Sequence, residues 1–420
     1  MRLLGAICFF LLGLHAFSQT TIVKIEIQGT KKTKPAFLKK LLQIQEGQEL
    51  DSVVIEKDIQ RLKRLPSVSH ADFEVILAEN SQCDLRFNIV ENFTLIPFAN
   101  FYSTVNDELA FRLGLQEFNL LGRNITLGVF YQRDVFNSYG VNLRAPNLFG
   151  KRTGVSLTYQ DFTTREPVFL SEGTADYRYN NRAFEALLLH EFNFKNRIEV
   201  GMNFFTEDYS YITGATSSDV PQELVVDKYL YKLIYNFDAL RYYYQYISGF
   251  RSILNFQYVR SQDQRLPGFW IGFNDFMFFK RVGKRGNWAN RLRLGISDNV
   301  ETPFAPFALD NNLNIRGVGI LIDRGTGAIV LNTEFRHTLV EKDWFVLQGN
   351  VFVDSGSWRL PGGSFSDFID YDNVRVYPGV GLRFIHKRIF NAIFRIDYGF
   401  GLITNDSSSG GIVFGIGQYF

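Results

Sequence analysis

Cysteine is almost absent: the 420 residues hold two, Cys8 and Cys83. Cys8 lies in an N-terminal apolar run that reads as a removable leader, so one thiol remains, which excludes an internal disulfide and a cysteine metal cluster. Long apolar runs are scarce as well. After Leu3 to Leu14 no stretch approaches the roughly 20 residues that a membrane-crossing helix needs, and the mean hydropathy is −0.07. Any membrane span in this chain must therefore be built from strands. Charge of one sign is missing too, with 45 Lys and Arg against 43 Asp and Glu and a formal net charge of +2. No basic block stands apart from its acidic neighbours, which argues against nucleic acid as a partner. Beyond the leader, His70, His190, His337 and His386 are scattered singly, without metal-ligand spacing. There is no serine elbow, and no carboxylate pair is set apart as an acid and base couple. No catalytic residue, metal or cofactor is assigned, and the chain reads as a non-enzyme.

What is abundant is aromatic and small: 42 Phe, 20 Tyr and 35 Gly, a mixture suited to lipid-facing strands, interfacial girdles and tight turns. Arg2, the apolar run and Ala16-Phe17-Ser18 form a positive start, an apolar middle and a small-x-small cleavage site. Residues 1–18 are expected to be a signal peptide cut before Gln19. Because Cys8 falls inside the apolar run, lipoprotein processing is not expected.

Composition changes near Glu91 and Asn92, and two domains are expected, at 19–92 and 93–420. In the first, Ile22 to Gln28 alternates as a strand with Val23, Ile25 and Ile27 on one face. Pro35 opens a helix through Leu42. Asp51 or Ser52 caps a second helix carrying Val54, Ile55, Ile59, Leu62 and Leu65, which Pro66 stops. Strands follow over Ala71 to Leu77 and Cys83 to Val90, the second placing Leu85, Phe87 and Ile89 on one side.

From Phe93 onward, period-two alternation recurs, as in Ile125, Leu127, Val129 and Tyr131, in Val155, Leu157 and Tyr159, and in Ile198, Val200, Met202 and Phe204. Asn119 to Arg123 and Asn147 to Lys151 repeat one turn, as two successive turns at the same end of a barrel do. The tract has room for about 16 tilted strands of about 10 residues each. Thr213 to Asp227, Leu360 to Asn373 and Thr404 to Ser409 are expected as outer loops. The closing segment places Phe414, Ile416 and Phe420 on one face, toward lipid, with Gly415, Gly417 and Tyr419 on the other. The expected fold is a transmembrane antiparallel β-barrel of about 16 strands with one N-terminal α+β domain. The barrel is expected to close by pairing its first strand, near Leu95 to Tyr102, with its last, Gly411 to Phe420.

The pleat locates an interior polar wall without further assumptions. With Leu347, Val351 and Val353 toward lipid, Gln348, Asn350 and Asp354 face the lumen. With Ile329, Leu331 and Phe335 toward lipid, Asn332, Glu334 and Arg336 face in. By the same parity Arg383, Arg395 and Asp397 point inward.

The β-α-α-β-β order of 19–92, with Ile-x-Gly after the first strand, resembles a POTRA domain, the periplasmic module of outer-membrane assembly proteins. Asn314-Ile315-Arg316-Gly317-Val318-Gly319 resembles the Arg-Gly-aromatic tip of the sixth extracellular loop of the BamA, TamA and two-partner-secretion superfamily, the bacterial surface antigen family. Val318 replaces the usual aromatic. Three further segments are similar to strands of that family: Phe352 to Trp358, Gly379 to Phe384, and Phe394 to Gly399. The ending Phe414 to Phe420 is similar to its C-terminal recognition signal.

The resemblance implies that the loop folds into the lumen and that Arg316 and Gly317 form a lock with Asp354 and Glu334, beside a lumen polar cluster of Arg336, Arg383, Arg395 and Asp397. Phe414, Ile416, Gly417 and Phe420 would form the strand signal and seam. It further implies residence in the bacterial outer membrane with the N-terminal domain in the periplasm. The implied partners are outer-membrane lipid, unfolded outer-membrane or secreted client polypeptides and other assembly subunits. The implied function is insertion or translocation of polypeptides; the alternatives are a secretion pore for a dedicated passenger and an accessory structural barrel.

Overall fold

The computed structural model describes residues 20–79, 81–103, 109–133, 135–170, 172–243, 245–263, 266–298, 306–309, 314–318, 323–387, 389, 392–403, 410–417 and 420. The expected signal peptide 1–18, the loop Thr404 to Ser409, and Gly319, Gln418 and Tyr419 lie outside these residues.

The N-terminal domain consists of β1 (Thr21–Gln28), α1 (Pro35–Leu41), α2 (Ser52–Lys63), β2 (Val68–Ala78) and β3 (Gln82–Glu91). Its sheet runs β1-β3-β2, with β3 parallel to β1 and antiparallel to β2. The two helices bury Leu38, Leu41, Ile55, Ile59 and Leu62 against Ile22, Ile25, Leu85, Phe87 and Ile89 of the sheet. Asp51 caps α2 by accepting from the Val53 and Val54 N–H groups at 2.8 and 3.2 Å. Asp58, wholly buried, accepts from the Gln43 and Ile44 N–H groups and ties the connection between the helices to α2.

One expectation fails here. A bulge between Ile22 and Lys24 shifts the register of β1, so Ile22 and Ile25 enter the core while Val23 is 50% exposed. A bulge adds one residue and so breaks a period-two face.

The barrel follows as β4 (Leu95–Ser103), β5 (Leu109–Leu120), β6 (Ile125–Arg133), β7 (Asn137–Ala145), β8 (Thr153–Leu170), β9 (Gly173–Asn193), β10 (Asn196–Gly214) and β11 (Glu223–Asp238). A three-residue strand in the next turn, β12 (Arg241–Tyr243), pairs with β13 (Tyr246–Ser261); β14 (Phe269–Val282) and β15 (Gly286–Ser297) come after it. Inside the following long loop β16 (Phe307–Leu309) pairs with β17 (Asp323–Gly325). The wall resumes with β18 (Gly327–Glu341), β19 (Phe345–Arg359), β20 (Val374–His386), β21 (Ile393–Gly399) and β22 (Gly411–Ile416). With β12, β16 and β17 set aside, these are 16 antiparallel wall strands in chain order, and the ring closes with β22 beside β4.

Exterior positions carry Leu113, Leu115, Val129, Val141, Leu188, Val200, Phe204, Phe256, Phe278, Leu294, Leu331, Val351, Val380 and Phe394, all exposed. Such a continuous apolar band is unstable in water and is the stable outer face of a barrel in lipid. On β18 and β19 the pleat is as the alternation predicts: Ile329, Leu331, Phe335, Val351 and Val353 point out, while Asn332, Glu334, Arg336, Gln348, Asn350 and Asp354 are buried inside. The turns at Asn119 to Arg123 and Asn147 to Lys151 share one end, where the Asn124 side chain donates to Asn147 Oδ1 at 3.1 Å. Strands β8, β9, β10 and β11, of 18, 21, 19 and 16 residues, exceed the length needed to cross a bilayer.

Two barrel expectations are corrected. The β10 and β11 ladder continues to Ser210 and Glu223, so their connection shrinks from the expected Thr213 to Asp227 to 215–222. The final strand does not reach Phe420: it ends at Ile416, and Gly417 takes a φ of +102°, which turns the chain off the ladder. Phe414 stays on the outer face, 53% exposed. Phe420 instead lies inside, against the inward-facing Phe279 and Ala289.

Candidate interior lock and domain junction

The long loop between β15 and β18 descends into the lumen. Phe307, Leu309, Ile315 and Val318 pack on Ala328, Val330, Trp358 and Tyr377 of the inner wall, which supplies the apolar anchor for the tip. Val318, which stands where the resembled motif has an aromatic, belongs to this cluster. Gly317 adopts a φ of +93°, and a Cβ there would stand 2.5 Å from Gly399 O; only glycine fits.

At the tip Arg316 has no exposed surface. Its Nε and Nη2 donate to Asp354 Oδ2 and Oδ1 at 2.8 and 2.9 Å, a two-pronged fit of guanidinium to carboxylate, and its backbone N–H donates to the same Oδ2 at 3.0 Å. Nη1 donates to Glu334 Oε2 at 2.7 Å and lies 3.6 Å from Asp397 Oδ1. The face of the guanidinium sits 3.6 Å from the centre of the Phe352 ring, so an aromatic from the wall stacks on Arg316.

The wider cluster is continuous. Glu334 also accepts from Arg383 Nη2 at 2.7 and 2.9 Å and from Arg336 Nε. Asp397 accepts from Arg395 Nη1 and from Asn350 Nδ2, both at 3.0 Å. Four guanidinium groups thus share three carboxylates, and Arg316, Arg336, Arg383, Glu334, Asp354 and Asp397 are all essentially buried. Such a network stays closed because removing one member strands an unpaired charge in a low dielectric. Its carboxylates are engaged by arginines, and among the described residues no three His, Cys, Asp or Glu side chains are grouped to hold a metal. What the arrangement does chemically is hold a loop.

The structure therefore gathers Arg316, Gly317, Glu334, Asp354, Arg336, Arg383, Arg395 and Asp397 in one place. Phe414, Ile416 and Gly417 lie on or just after β22, and the tip reaches that strand, since a Cβ on Gly411 would be 3.2 Å from Gly317 O. Sequence reading placed Asn314 in the tip motif but gave it no role; its carbonyl accepts from Asn332 Nδ2 at 2.7 Å and its Oδ1 accepts from Arg291 and Arg293 at 3.4 Å. It also missed Asp275, held by Arg293 through two bonds of 2.7 and 2.6 Å. The inward parity of Asp275, Arg291 and Arg293 was the available signal.

The domain junction escaped it as well. Arg64, which caps the C-terminus of α2, lays its guanidinium 3.6 Å from the Phe194 ring centre and donates to Phe194 O at 2.6 Å. Arg61 pairs with Glu191 at 2.9 Å, Lys151 Nζ donates to Leu42 O at 2.7 Å, and the Asn119 side chain donates to Thr33 Oγ1 at 2.9 Å. Burial lowers the Arg64 pKa, with Asp238 opposing that shift. Glu91, at the domain's end, accepts from the Lys31, Lys32 and Thr33 N–H groups. Burial alone would raise its carboxyl pKa; these bonds outweigh it and hold the carboxyl below the ordinary range.

Residues 20–92 match the family model described as POTRA, surface antigen variable number repeat. No curated protein matches the sequence at significant similarity. Among solved structures the chain is similar to BamA from Haemophilus ducreyi lacking POTRA domains 1–3, at 15% identity and a TM-score of 0.57, over 95% of this chain and 84% of that one. It is similar to CdiB from Acinetobacter baumannii, at 16% identity and a TM-score of 0.60, over 95% and 73%. It is also similar to CdiB from Escherichia coli, at 12% identity and a TM-score of 0.65, over 95% and 76%. At these identities the likeness is one of fold: a POTRA domain followed by a barrel of the kind seen in BamA and CdiB.

Proposed function

We propose that this chain is an outer-membrane factor that inserts or assembles other polypeptides, working through the seam of its barrel with its POTRA domain in the periplasm. One observation carries the reading: a buried, charge-paired loop tip is fixed inside the barrel, whereas the wall is thinnest where β22, of six residues, lies beside β4. A loop tip locked to the inner wall narrows any path through the middle. A short final strand has few ladder bonds to break, and Pro97 removes one donor from β4.

In this mechanism the open edge of the POTRA sheet, β2, receives an extended client by strand addition. The client is then passed to the seam, where transfer of its apolar side chains to lipid and satisfaction of its backbone groups drive insertion without a nucleotide. The loop lock holds the wall strands beside the seam in register, and Arg316, Gly317, Glu334 and Asp354 are its working parts. The partners are outer-membrane lipid, unfolded outer-membrane clients and other assembly subunits. The likeness to CdiB, a two-partner-secretion transporter, favours a second reading, export of one dedicated passenger.

A cysteine pair across β4 and β22, in a Cys83→Ser background, tests the seam. Oxidation is expected to abolish client assembly and reduction to restore it; full activity with the seam closed overturns the mechanism. Depletion separates the readings, since general loss of outer-membrane proteins indicates assembly and loss of a single secreted product indicates export.

A further inference from the structure

At the POTRA end of the barrel, α2 and the inner wall enclose a cavity of about 270 Å³ that is rich in cations. Arg61 of α2 and Arg64 at its C-cap line one side, and Arg144, Lys151, Arg152 and Arg197, from β7 to β10, line the other. The two carboxylates in the lining, Glu191 and Glu199, are outnumbered by them. Arg144 pairs with Glu199, and Arg61 and Arg197 share Glu191 at 2.9 and 3.4 Å. Lys151 and Arg152 donate to the carbonyls of Leu42 and Phe192 at 2.7 and 3.2 Å, which neutralise no charge, and no carboxylate pairs with either among the described residues. Asp58 lies in the field of Arg61 and Lys151, but its carboxylate is already engaged by the Gln43 and Ile44 N–H groups. Arg64 feels the excess: burial lowers its pKa, Asp238 opposes that shift, and the like charge of Arg197 adds to it. Cations on the two domains therefore repel across the gap, and an anion placed between them removes that cost.

The lining sorts the kinds of anion. Val141, Leu188 and Val200 are exposed on the outer wall, so Arg144, Glu191, Arg197 and Glu199, at odd spacing from them on the same strands, lie on the lumen side. The barrel wall thus stands between these charges and the bilayer. Leu41, Leu65, Leu189 and Phe194 line the same space, so a fitting ligand carries apolar groups beside its charges. The volume lies below the roughly 300–1,000 Å³ that takes a whole small molecule and suits one or two side chains entering from an extended segment.

We propose that this cavity receives an acidic segment of a client polypeptide, whose carboxylates bridge Arg61 and Arg64 to the arginines of the barrel mouth and fix the angle between the two domains. This inference rests on the reading of the chain as a polypeptide-handling factor, and adds to it a charge preference and a coupling of capture to domain docking. Glu199 is the internal competitor: it holds Arg144 with both oxygens, and a client carboxylate reaches that guanidinium by displacing it. Linkage makes the effect reciprocal, so a fixed junction binds the segment more tightly and the bound segment fixes the junction.

The test uses the full chain in uncharged detergent micelles and a fluorescent peptide alternating glutamate with leucine. Replacing its glutamates by glutamines is expected to weaken binding at least about 10-fold, and added salt to weaken it progressively. Arg152→Gln with Arg197→Gln is expected to lose a similar factor, with heat-modifiable electrophoretic mobility checking that the barrel is folded. Glu199→Gln frees Arg144 and is expected to bind about 3-fold more tightly, a gain that misfolding cannot imitate. A photocrosslinking residue at the peptide's centre is expected to mark 61–66 and 189–199. With spin labels at Lys57 and Lys195 in a Cys83→Ser background, the peptide is expected to narrow the distance distribution between α2 and the barrel. Equal binding of the glutamine peptide, no gain in Glu199→Gln, crosslinks elsewhere or an unchanged distance distribution overturns the proposal. So does displacement of the peptide by inorganic phosphate at equal concentration, which marks a simple anion site, or by phosphatidylglycerol in mixed micelles, which marks a lipid site. Peptide binding as expected in a chain that neither assembles nor exports any polypeptide overturns the functional reading and leaves the site standing; client handling with binding indifferent to glutamate does the reverse.

Discussion

Gly317 and Gly399 meet backbone to backbone: a Cβ on Gly317 would stand 2.5 Å from Gly399 O, and one on Gly399 would stand 2.2 Å from Arg316 O. The loop tip is thus seated on β21, the strand that carries β22 and the seam, with no side chain between them. A loop held that closely is set by the wall and in turn limits how the wall moves.

Gly317→Ala is therefore expected to eject the tip. The φ of +93° strains any side chain, at a cost of about 1–3 kcal/mol, and the clash is with backbone that cannot step aside. Limited proteolysis should cut 306–318 in the variant and spare it in the parent, with the barrel still heat-modifiable.

Arg316→Ala leaves Asp354 buried without its basic partner among the described residues, which costs about 3–5 kcal/mol. Arg316→Lys recovers little, since an ammonium cannot fork to both oxygens. Arg316→Ala with Asp354→Asn should be less destabilised than the sum of the two single changes, by about 0.5–3 kcal/mol in a double-mutant cycle read from denaturant unfolding. Strict additivity would mean that the pair is not coupled.

The Glu91 carboxyl is held low in the folded domain, so the bonds to residues 31–33 contribute stability above the unfolded value of about 4.3, and that stability is lost as pH falls through the lower folded value. Amide hydrogen exchange at 31–33 should accelerate on acidification below about pH 4. In Glu91→Gln that acid-dependent change should disappear.

Arg64→Ala removes the stack on Phe194 and the bond to its carbonyl. Spin labels on Lys57 and Lys195 should then report a broader distance distribution between α2 and the barrel, while the barrel's own unfolding is unchanged. An unaltered distribution would mean that the remaining junction contacts suffice.

The wall was legible in the sequence because a barrel strand advertises itself by parity. Asn332, Glu334, Arg336 and Asp354 alternate with Ile329, Leu331, Phe335 and Val353, and a pleat leaves them no choice of side once lipid claims the apolar set. Parity failed where the backbone departs from the pleat. The bulge at Ile22 and Lys24 turned Val23 outward, and Gly417 turned Phe420 inward. A left-handed glycine and an extra residue in a ladder leave no trace in hydrophobic periodicity. The junction was hidden for another reason: Arg64 and Phe194 lie 130 residues apart, and a single sequence carries no signal joining a helix arginine to a distant turn.

By itself the sequence determined that this chain crosses lipid as strands, which side chains of each strand look inward, and that a small α+β domain precedes them; these follow from local periodicity and from the cost of unpaired backbone in hydrocarbon. Tertiary structure alone decided which inward charges meet, that Phe352 stacks on Arg316, and that Phe420 rests near Arg336. Those contacts depend on ring closure and on the path of one long loop, which bring together groups far apart in the chain once the wall that holds them exists.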